Sequence, residues 1–172
     1  FANTAGCTSA ISWIDTEKSI LLHRGYPVDQ LARQCDFLEV AWILLRGDAP
    51  DEASYQAFKN TIPRHSLVHE QIARMCSSFR RDSHPMALMC ALVGTLAAFY
   101  HDVLDVENPE HRALAATRLL SKMPTLAAMS YKFSIEQPAQ YPRNDLSYAG
   151  NFLHMLFAIP AEPYQLNPVI EQ

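Results

Sequence analysis

Apolar residues recur at helical spacing along most of this chain, which predicts a mainly α-helical protein. Between Phe37 and Arg46 they stand at positions 37, 38, 41, 42, 44 and 45, as in a mostly buried helix. Gly47 follows, where a helix often ends on a left-handed residue. The acidic residues and the proline of 48–52 then predict a polar helix that reaches about Thr61.

Three more helices are predicted between residues 67 and 123. The first spans Leu67 to Arg81. The second, Met86–Tyr100, is apolar on every side, so protein should surround it, and its start is predicted at Asp82-Ser83-His84-Pro85. The third begins at Asn108-Pro109-Glu110 and should end or kink near Met123, because Pro124 lacks a backbone N–H.

Residues 137–143 contain two prolines and predict a loop. After it, Asn144 or Asp145 is predicted to cap a helix. The apolar face of that helix consists of Leu146, Ala149, Leu153 and Leu156. Asn167-Pro168 marks the start of a last helix.

Near the N-terminus the pattern changes to two short apolar runs around a polar stretch, 10–15 and 20–23, which predict a small hairpin. Arg24-Gly25-Tyr26-Pro27 indicates a turn, and a short helical segment is predicted from Val28. The predicted fold class is therefore all-α with a small N-terminal β-hairpin. We divide the chain into a β element at 1–24 and a helical domain at 25–172.

Composition excludes several classes of function. The net charge of −4 gives no general attraction to nucleic acid or to an anionic membrane, and no partner of either kind is expected. The uncharged run 85–100 is shorter than the ~20 residues that cross a bilayer. Four cysteines without a CxxC pair favour a reducing, cytoplasmic location. The five dispersed glycines form no Walker or Rossmann phosphate loop.

Basic residues supply the candidate chemistry. One predicted helix side carries three of them, at i, i+7 and i+11: His111, Arg118 and Lys122. A second basic group consists of Arg64 and His65. The residues alone leave two interpretations open, a solvated polar face or an anion site of the kind that holds a nucleotide phosphate. Tyr100 is then either a stacking ring or a core residue.

Two histidine-containing groups have structural interpretations. His65 and His69 stand four residues apart beside Glu70, but a zinc site needs a third ligand and the HExxH order is absent. A shared helix face or a helix-terminus role is preferred, and no metal site is expected. Asp82-Ser83-His84 contains the residue types of a catalytic triad, but adjacent residues cannot adopt its geometry, so helix capping is predicted.

Four strings match a known family in the same order: ILLHRGYPVDQL at 20–31, FRRDSHPM at 79–86, LLSKMPT at 119–125 and YPRNDLSYAGNFL at 141–153. With them, the chain from about Thr8 to Gln172 resembles citrate synthase of the hexameric, Gram-negative bacterial type. The resemblance implies the N-terminal part of the large helical domain of that fold, including a small β element.

The resemblance also implies an activity, the condensation of acetyl-CoA with oxaloacetate and water to citrate and CoA, without a metal or prosthetic group. None of the seven histidines matches the family's catalytic or oxaloacetate-binding motifs, so no catalytic residue is carried over. We therefore expect an N-terminal fragment that is inactive alone. The alternatives are a fragment of 2-methylcitrate synthase, which uses propionyl-CoA, and a non-catalytic helical regulatory or oligomerisation module.

Members of this type bind NADH as an allosteric inhibitor. The resemblance places six residues at positions of that site: Arg64, His65, Tyr100, Arg118, Lys122 and Asn144. The chain departs from the family pattern at Ser66, where the family has threonine, and at Ile159 and Ala161, where it has a hydroxyl and a thiol. We therefore expect the full-length enzyme to bind NADH, but weakly.

In the resembling family, helices of this region pack against a second subunit. We therefore expect the chain to form a homodimer through the apolar helix 85–100, or a hexamer built as a trimer of such dimers.

Overall fold

The computed structural model describes residues 7–171 and is mostly helical with one small antiparallel sheet, which confirms the predicted fold class. The chain divides into two compact units, one ending at Lys59 and one beginning at Asn60. The boundary between a β element at 1–24 and a helical domain at 25–172 stays a prediction. Residues 1–6 and 172, which that division includes, lie outside the described residues.

The first unit contains the predicted hairpin. Its three strands are β1 (Ser12–Asp15), β2 (Ile20–His23) and β3 (Tyr26–Pro27), in the order β1-β2-β3. The Asp15 carboxylate closes the β1–β2 turn by accepting the backbone N–H groups of Glu17 and Lys18, at 3.1 and 3.0 Å. The turn predicted at 24–27 is tighter than expected: Arg24 and Gly25 make it with φ of 51° and 89°, and the next two residues form β3.

Three helices follow in this part of the chain: α1 (Val28–Gln34), α2 (Phe37–Arg46) and α3 (Glu52–Arg64). The bounds predicted for α2 are confirmed. A capping box between Asp36 and Glu39 starts it, and Gly47 ends it with φ 104°. The Tyr55 hydroxyl donates to the Asp36 carboxylate and so joins α3 to the start of α2. Helix α3 continues past the predicted Thr61, through Pro63.

The second unit is a helical assembly around α6. Its elements are α4 (Glu70–Cys76), α5 (Pro85–Phe99), a 3₁₀ helix (His101–Val103), α6 (Pro109–Ser134), α7 (Tyr148–Phe157) and α8 (Pro168–Glu171). Helices α5 and α7 both pack against α6, and α4 packs against α5. Ile72, Leu92 and Leu126 are fully buried where α4, α5 and α6 meet. The 3₁₀ helix also contacts α6, which places it beside the basic residues of that helix.

Helix α5 forms where the apolar run predicted it. His84 caps its start, since the ring Nδ1 accepts the backbone N–H of Met86 at 3.2 Å, and Pro85 occupies the first turn. One side of α5 is buried through Leu88, Leu92 and Leu96. The opposite side is exposed, so residues 7–171 by themselves do not surround the helix as predicted.

Two helix starts differ from the sequence prediction because other side chains supply the caps. Helix α4 is shorter than Leu67–Arg81, since His69 Nδ1 accepts the N–H of Gln71 and the Ser77 hydroxyl donates to the Arg74 carbonyl at the other end. Helix α7 is capped by Ser147, not by Asn144 or Asp145. The Asp145 carboxylate instead pairs with Arg143.

The prediction was that Pro124 ends or kinks the third helix near Met123. The helix does not end there, because α6 runs on to Ser134. Pro124 has no N–H to donate to the carbonyl of Leu120, one turn earlier. The Tyr148 hydroxyl of α7 donates to that carbonyl at 2.9 Å. Packing of α7 therefore satisfies the group that proline leaves open, and the helix continues.

Candidate functional site

Two cations on α6 share one aromatic ring at the end of α5. Arg118 and Lys122 are one helical turn apart, so both side chains leave α6 on the same side. Tyr100 is the C-terminal cap of α5 and turns its ring toward them. The Arg118 guanidinium lies 5.0 Å from the ring centroid and the Lys122 ammonium 4.9 Å, within the range of cation–π attraction.

Lys122 is almost completely buried, with 3% of its surface exposed. Its ammonium donates to the backbone carbonyls of His65 and Leu67, at 2.6 Å each. These short bonds tie α6 to the segment between α3 and α4. The buried positive charge is thus stabilised by neutral oxygens and an aromatic face, and it contributes a fixed positive potential here.

Arg118 is held by a carboxylate. Its two terminal nitrogens donate to the two oxygens of Asp102 in the 3₁₀ helix, at 3.0 and 3.1 Å, in a parallel forked arrangement. The hydrogen bonds from Arg118 hold the pKa of the Asp102 carboxyl below its ordinary value. Asp102 therefore stays ionised at neutral pH.

His65 stands next to this group. Burial, and then the charges of Lys122 and Arg118, lower the pKa of its imidazole from the ordinary value of 6.5. The ring is therefore neutral at pH 7, and the positive charge of the site comes from Arg118 and Lys122. In its neutral form the ring offers one donor and one acceptor nitrogen.

A pocket of about 230 Å³ opens beside these residues. Its polar lining consists of Tyr100, Arg118 and Lys122. The rest is apolar and comes from α5, from the segment after it and from α6: Val93, Leu96, Ala97, Val103, Leu104, Ala115 and Leu119. An apolar wall with two cations and an aromatic ring at one edge suits a ligand that has a flat or apolar part and an anionic group.

The structure brings four of the six sequence-predicted site residues together: His65, Tyr100, Arg118 and Lys122. Arg64 is the exposed last residue of α3 and adjoins His65. Asn144 is exposed in the turn before α7, and within residues 7–171 no hydrogen bond joins it to the other five. His111 lies in the first turn of α6, and its buried Nδ1 has no hydrogen-bond partner among the described atoms.

The positions that depart from the family pattern also have defined surroundings. The Ser66 hydroxyl donates to the Pro63 carbonyl at 2.6 Å, and the Ser66 carbonyl accepts from the Thr125 hydroxyl at 2.8 Å. Ser66 is therefore used to join α3 to α6. Ile159 pairs with Glu162 in an isolated β-bridge, and Ala161 is exposed in the turn between them.

Asp102 is the site residue that sequence reasoning missed. It precedes Arg118 by 16 residues and lies on a different element, so no helical spacing connects the two. The available signal was the acidic residue two positions after Tyr100, which becomes informative only once the 3₁₀ helix is placed beside α6.

The other sequence candidates have structural roles. His69 caps α4, and His84 makes the cap that was predicted within Asp82-Ser83-His84, so both groups lie at helix starts. Over residues 7–171, no group of three or more His, Cys, Asp or Glu side chains is arranged to hold a metal ion. Over the same residues, no helix combines the length and the apolar character that a membrane span needs.

Comparison with known proteins identifies a family. A family model described as citrate synthase, C-terminal domain, matches residues 1–171. The chain is 30% identical to citrate synthase from Pyrobaculum aerophilum, with a TM-score of 0.82 over 94% of this chain and 42% of that chain. Citrate synthase from Thermotoga maritima matches at 24% identity and a TM-score of 0.78, over 98% of this chain and 42% of that one.

A third structure is citrate synthase from Thermoplasma acidophilum in a ternary complex with carboxymethyl coenzyme A and oxaloacetate, at 23% identity and a TM-score of 0.82. The match covers 93% of this chain and 42% of that chain. The chain thus spans about two fifths, 42%, of the length of each of these solved structures.

Proposed function

The chain belongs to the citrate synthase family, and from that premise we propose that the full-length protein condenses acetyl-CoA with oxaloacetate and water to give citrate and CoA. The observation that carries this proposal is the family match over residues 1–171, together with 30% identity and a TM-score of 0.82 to one citrate synthase. We assign this chain the role of the helical body. The general acid–base groups of the reaction are not among the residues that we assign to it.

Turnover assays test this proposal. Full-length protein should form citrate from acetyl-CoA and oxaloacetate, with a higher kcat/KM for acetyl-CoA than for propionyl-CoA. Residues 1–172 alone should give no turnover. A preference for propionyl-CoA would instead make the protein a 2-methylcitrate synthase, and citrate formation by residues 1–172 would contradict the assigned role.

We further propose that the protein is of the Gram-negative type and that NADH binds at the pocket beside Tyr100, Arg118 and Lys122. Two fixed cations suit a pyrophosphate, and the Tyr100 ring and the apolar wall suit a nicotinamide or adenine ring. Arg64, His65 and Asn144 are the remaining members of the proposed site. Of these, His65 is neutral and offers hydrogen bonds rather than charge.

Calorimetric titration of the full-length protein with NADH tests the site. Saturable binding is expected, and Arg118→Ala should abolish it. The matched control is Arg112→Ala, which removes the same charge from the same helix but takes it from an arginine that donates to the carbonyls of Val106 and Glu107. Equal loss in both variants, or no binding to the unsubstituted protein, would contradict the proposal.

The exposed side of α5 supports a proposal about assembly. Helix α5 has no charged residue in its 15 positions. The side turned away from the core remains exposed: Met86, Ala87, Cys90, Gly94, Ala97 and Ala98. We propose that a second copy of the chain packs on this side to form a homodimer, and that three such dimers form a hexamer.

Analytical ultracentrifugation of two cysteine variants tests the assembly. Cys90→Arg places a charge at the centre of the exposed side of α5 and should shift full-length protein toward the monomer. Cys7→Arg makes the same change at an exposed residue far from α5 in sequence and should leave the mass unchanged. An unchanged mass for Cys90→Arg would exclude this side of α5 as the interface.

A further inference from the structure

The Asp102–Arg118 ion pair has two unequal partners. Arg118 is fixed, because its guanidinium lies over the Tyr100 ring and only 18% of its side chain is exposed. Asp102 is the more exposed partner, since 58% of its side chain is exposed and it belongs to a 3₁₀ helix of only three residues. The carboxylate can therefore rotate into water while the guanidinium remains in place.

Arg118 is also the group at the pocket whose geometry matches an anion. Its fork presents two parallel N–H donors, and both are directed at Asp102. Two of the three ammonium protons of Lys122 are directed at backbone carbonyls. A phosphate or carboxylate that binds Arg118 end-on, through one N–H of each terminal nitrogen, must therefore use the two N–H groups that now donate to Asp102.

The geometry points to Asp102 as an internal competitor: we propose that an anionic ligand of this pocket binds Arg118 by displacing the Asp102 carboxylate. This inference rests on the NADH site proposed above and adds how the affinity of that site is set. Asp102 cancels one of the two positive charges at the pocket edge, so its departure raises the local charge from +1 to +2 on the side that meets the ligand.

The same segment forms part of the pocket wall. Val103 of the 3₁₀ helix and Leu104 directly after it both line the pocket. The ion pair therefore fixes that wall against α6, and a ligand that takes Arg118 also releases it. Charge and wall position change together, which makes Asp102 a regulatory residue rather than a simple surface partner.

Asp102→Asn in the full-length protein is the direct test, with NADH as the probe in calorimetric titration. The amide keeps the size of the side chain and removes its charge. Because exposed ion pairs are weak, we expect the Kd for NADH to fall by about two- to fivefold. The matched control is Asp105→Asn, which removes the same charge three residues later, from a carboxylate that accepts the N–H of Glu107 at 3.0 Å.

Each outcome decides between the two proposals. Tighter binding by Asp102→Asn alone supports the competition. Equal tightening in both variants, or none in Asp102→Asn, overturns it and leaves the NADH site standing. Binding by Asp102→Asn but not by the unsubstituted protein supports the competition while ending the claim that the natural protein binds NADH. Absence of binding in both overturns the two proposals together.

Discussion

At the scale of single residues, the unusual feature is a pair of buried lysines that pair with no carboxylate among residues 7–171. Lys122 is 3% exposed and Lys132 is 1% exposed. Lys132 donates to the Gln137 side-chain oxygen at 2.7 Å and to the Ala158 carbonyl at 2.9 Å, and burial lowers its pKa. Both lysines thus connect α6 to another segment through carbonyl oxygens, and these contacts replace the hydration that burial removes.

Replacing Lys122 with methionine should destabilise the protein. Methionine has a similar volume but leaves the carbonyls of His65 and Leu67 without their donor, which should lower the free energy of unfolding by about 2 kcal/mol. Urea titration followed by circular dichroism measures the change. Lys18→Met is the control, because that side chain is 73% exposed and should change stability by less than about 0.5 kcal/mol. An unchanged or higher stability of Lys122→Met would show that burial of the charge outweighs its hydrogen bonds.

At the scale of elements, the continuation of α6 through Pro124 depends on α7. A proline inside a helix costs about 3 kcal/mol relative to alanine, partly through the unpaired carbonyl one turn earlier. Tyr148 supplies a donor to that carbonyl, on Leu120. The hydrogen bond that joins α7 to α6 therefore also stabilises the middle of α6.

A double-mutant cycle between Pro124→Ala and Tyr148→Phe tests this dependence. Tyr148→Phe alone should cost about 1–2 kcal/mol of unfolding free energy, because it leaves the Leu120 carbonyl unpaired. In the Pro124→Ala background the cost should be smaller by about 1 kcal/mol, since residue 124 then donates its own N–H. Equal costs in the two backgrounds would mean that Tyr148 stabilises α7 independently of the proline. Denaturant unfolding of all four proteins gives the coupling.

At the scale of the whole molecule, two tyrosines, one buried and one half-buried, make the stability of the protein depend on pH in the alkaline range. Burial raises the pKa of Tyr148 from 10.0 to about 12. Burial and then the Asp36 carboxylate raise the pKa of Tyr55 as well. Above pH 10 the unfolded chain loses these protons while the folded chain keeps them, so stability falls as pH rises. The lowered pKa of Lys132 makes stability rise with pH instead, but only at pH values below the ordinary lysine pKa of 10.5.

The free energy of unfolding should therefore fall between pH 10.5 and 12. The share of Tyr148 is at most about 1.1 kcal/mol per pH unit, near pH 11, where the folded chain holds about 0.8 proton more than the unfolded chain. Tyr148→Phe should remove this share, so the free energy of unfolding of the variant should fall less steeply with pH. At neutral pH the variant should be less stable than the unsubstituted protein. Guanidinium titrations at pH 8, 10.5 and 11.5 would measure both slopes, and parallel slopes would contradict the assignment of the raised pKa to Tyr148.

The sequence by itself determined the features that depend on neighbours along the chain. The apolar period of α2, the left-handed Gly47 after it, the uncharged α5 and the hairpin of β1 and β2 are all set within one or two helical turns or one strand pair. The spacing of Arg118 and Lys122 likewise placed both cations on one side of α6. These predictions succeeded because the physical cause lies inside the same segment.

Only the tertiary structure decided the features whose partners are distant in sequence. The Leu120 carbonyl is satisfied by Tyr148, 28 residues away, so Pro124 ends no helix. Lys122 reaches carbonyls more than 50 residues earlier and is buried rather than solvated. Asp102 reaches Arg118 only because the 3₁₀ helix packs on α6. Hydrogen bonds and ion pairs depend on distance in space, and the sequence pattern records distance along the chain.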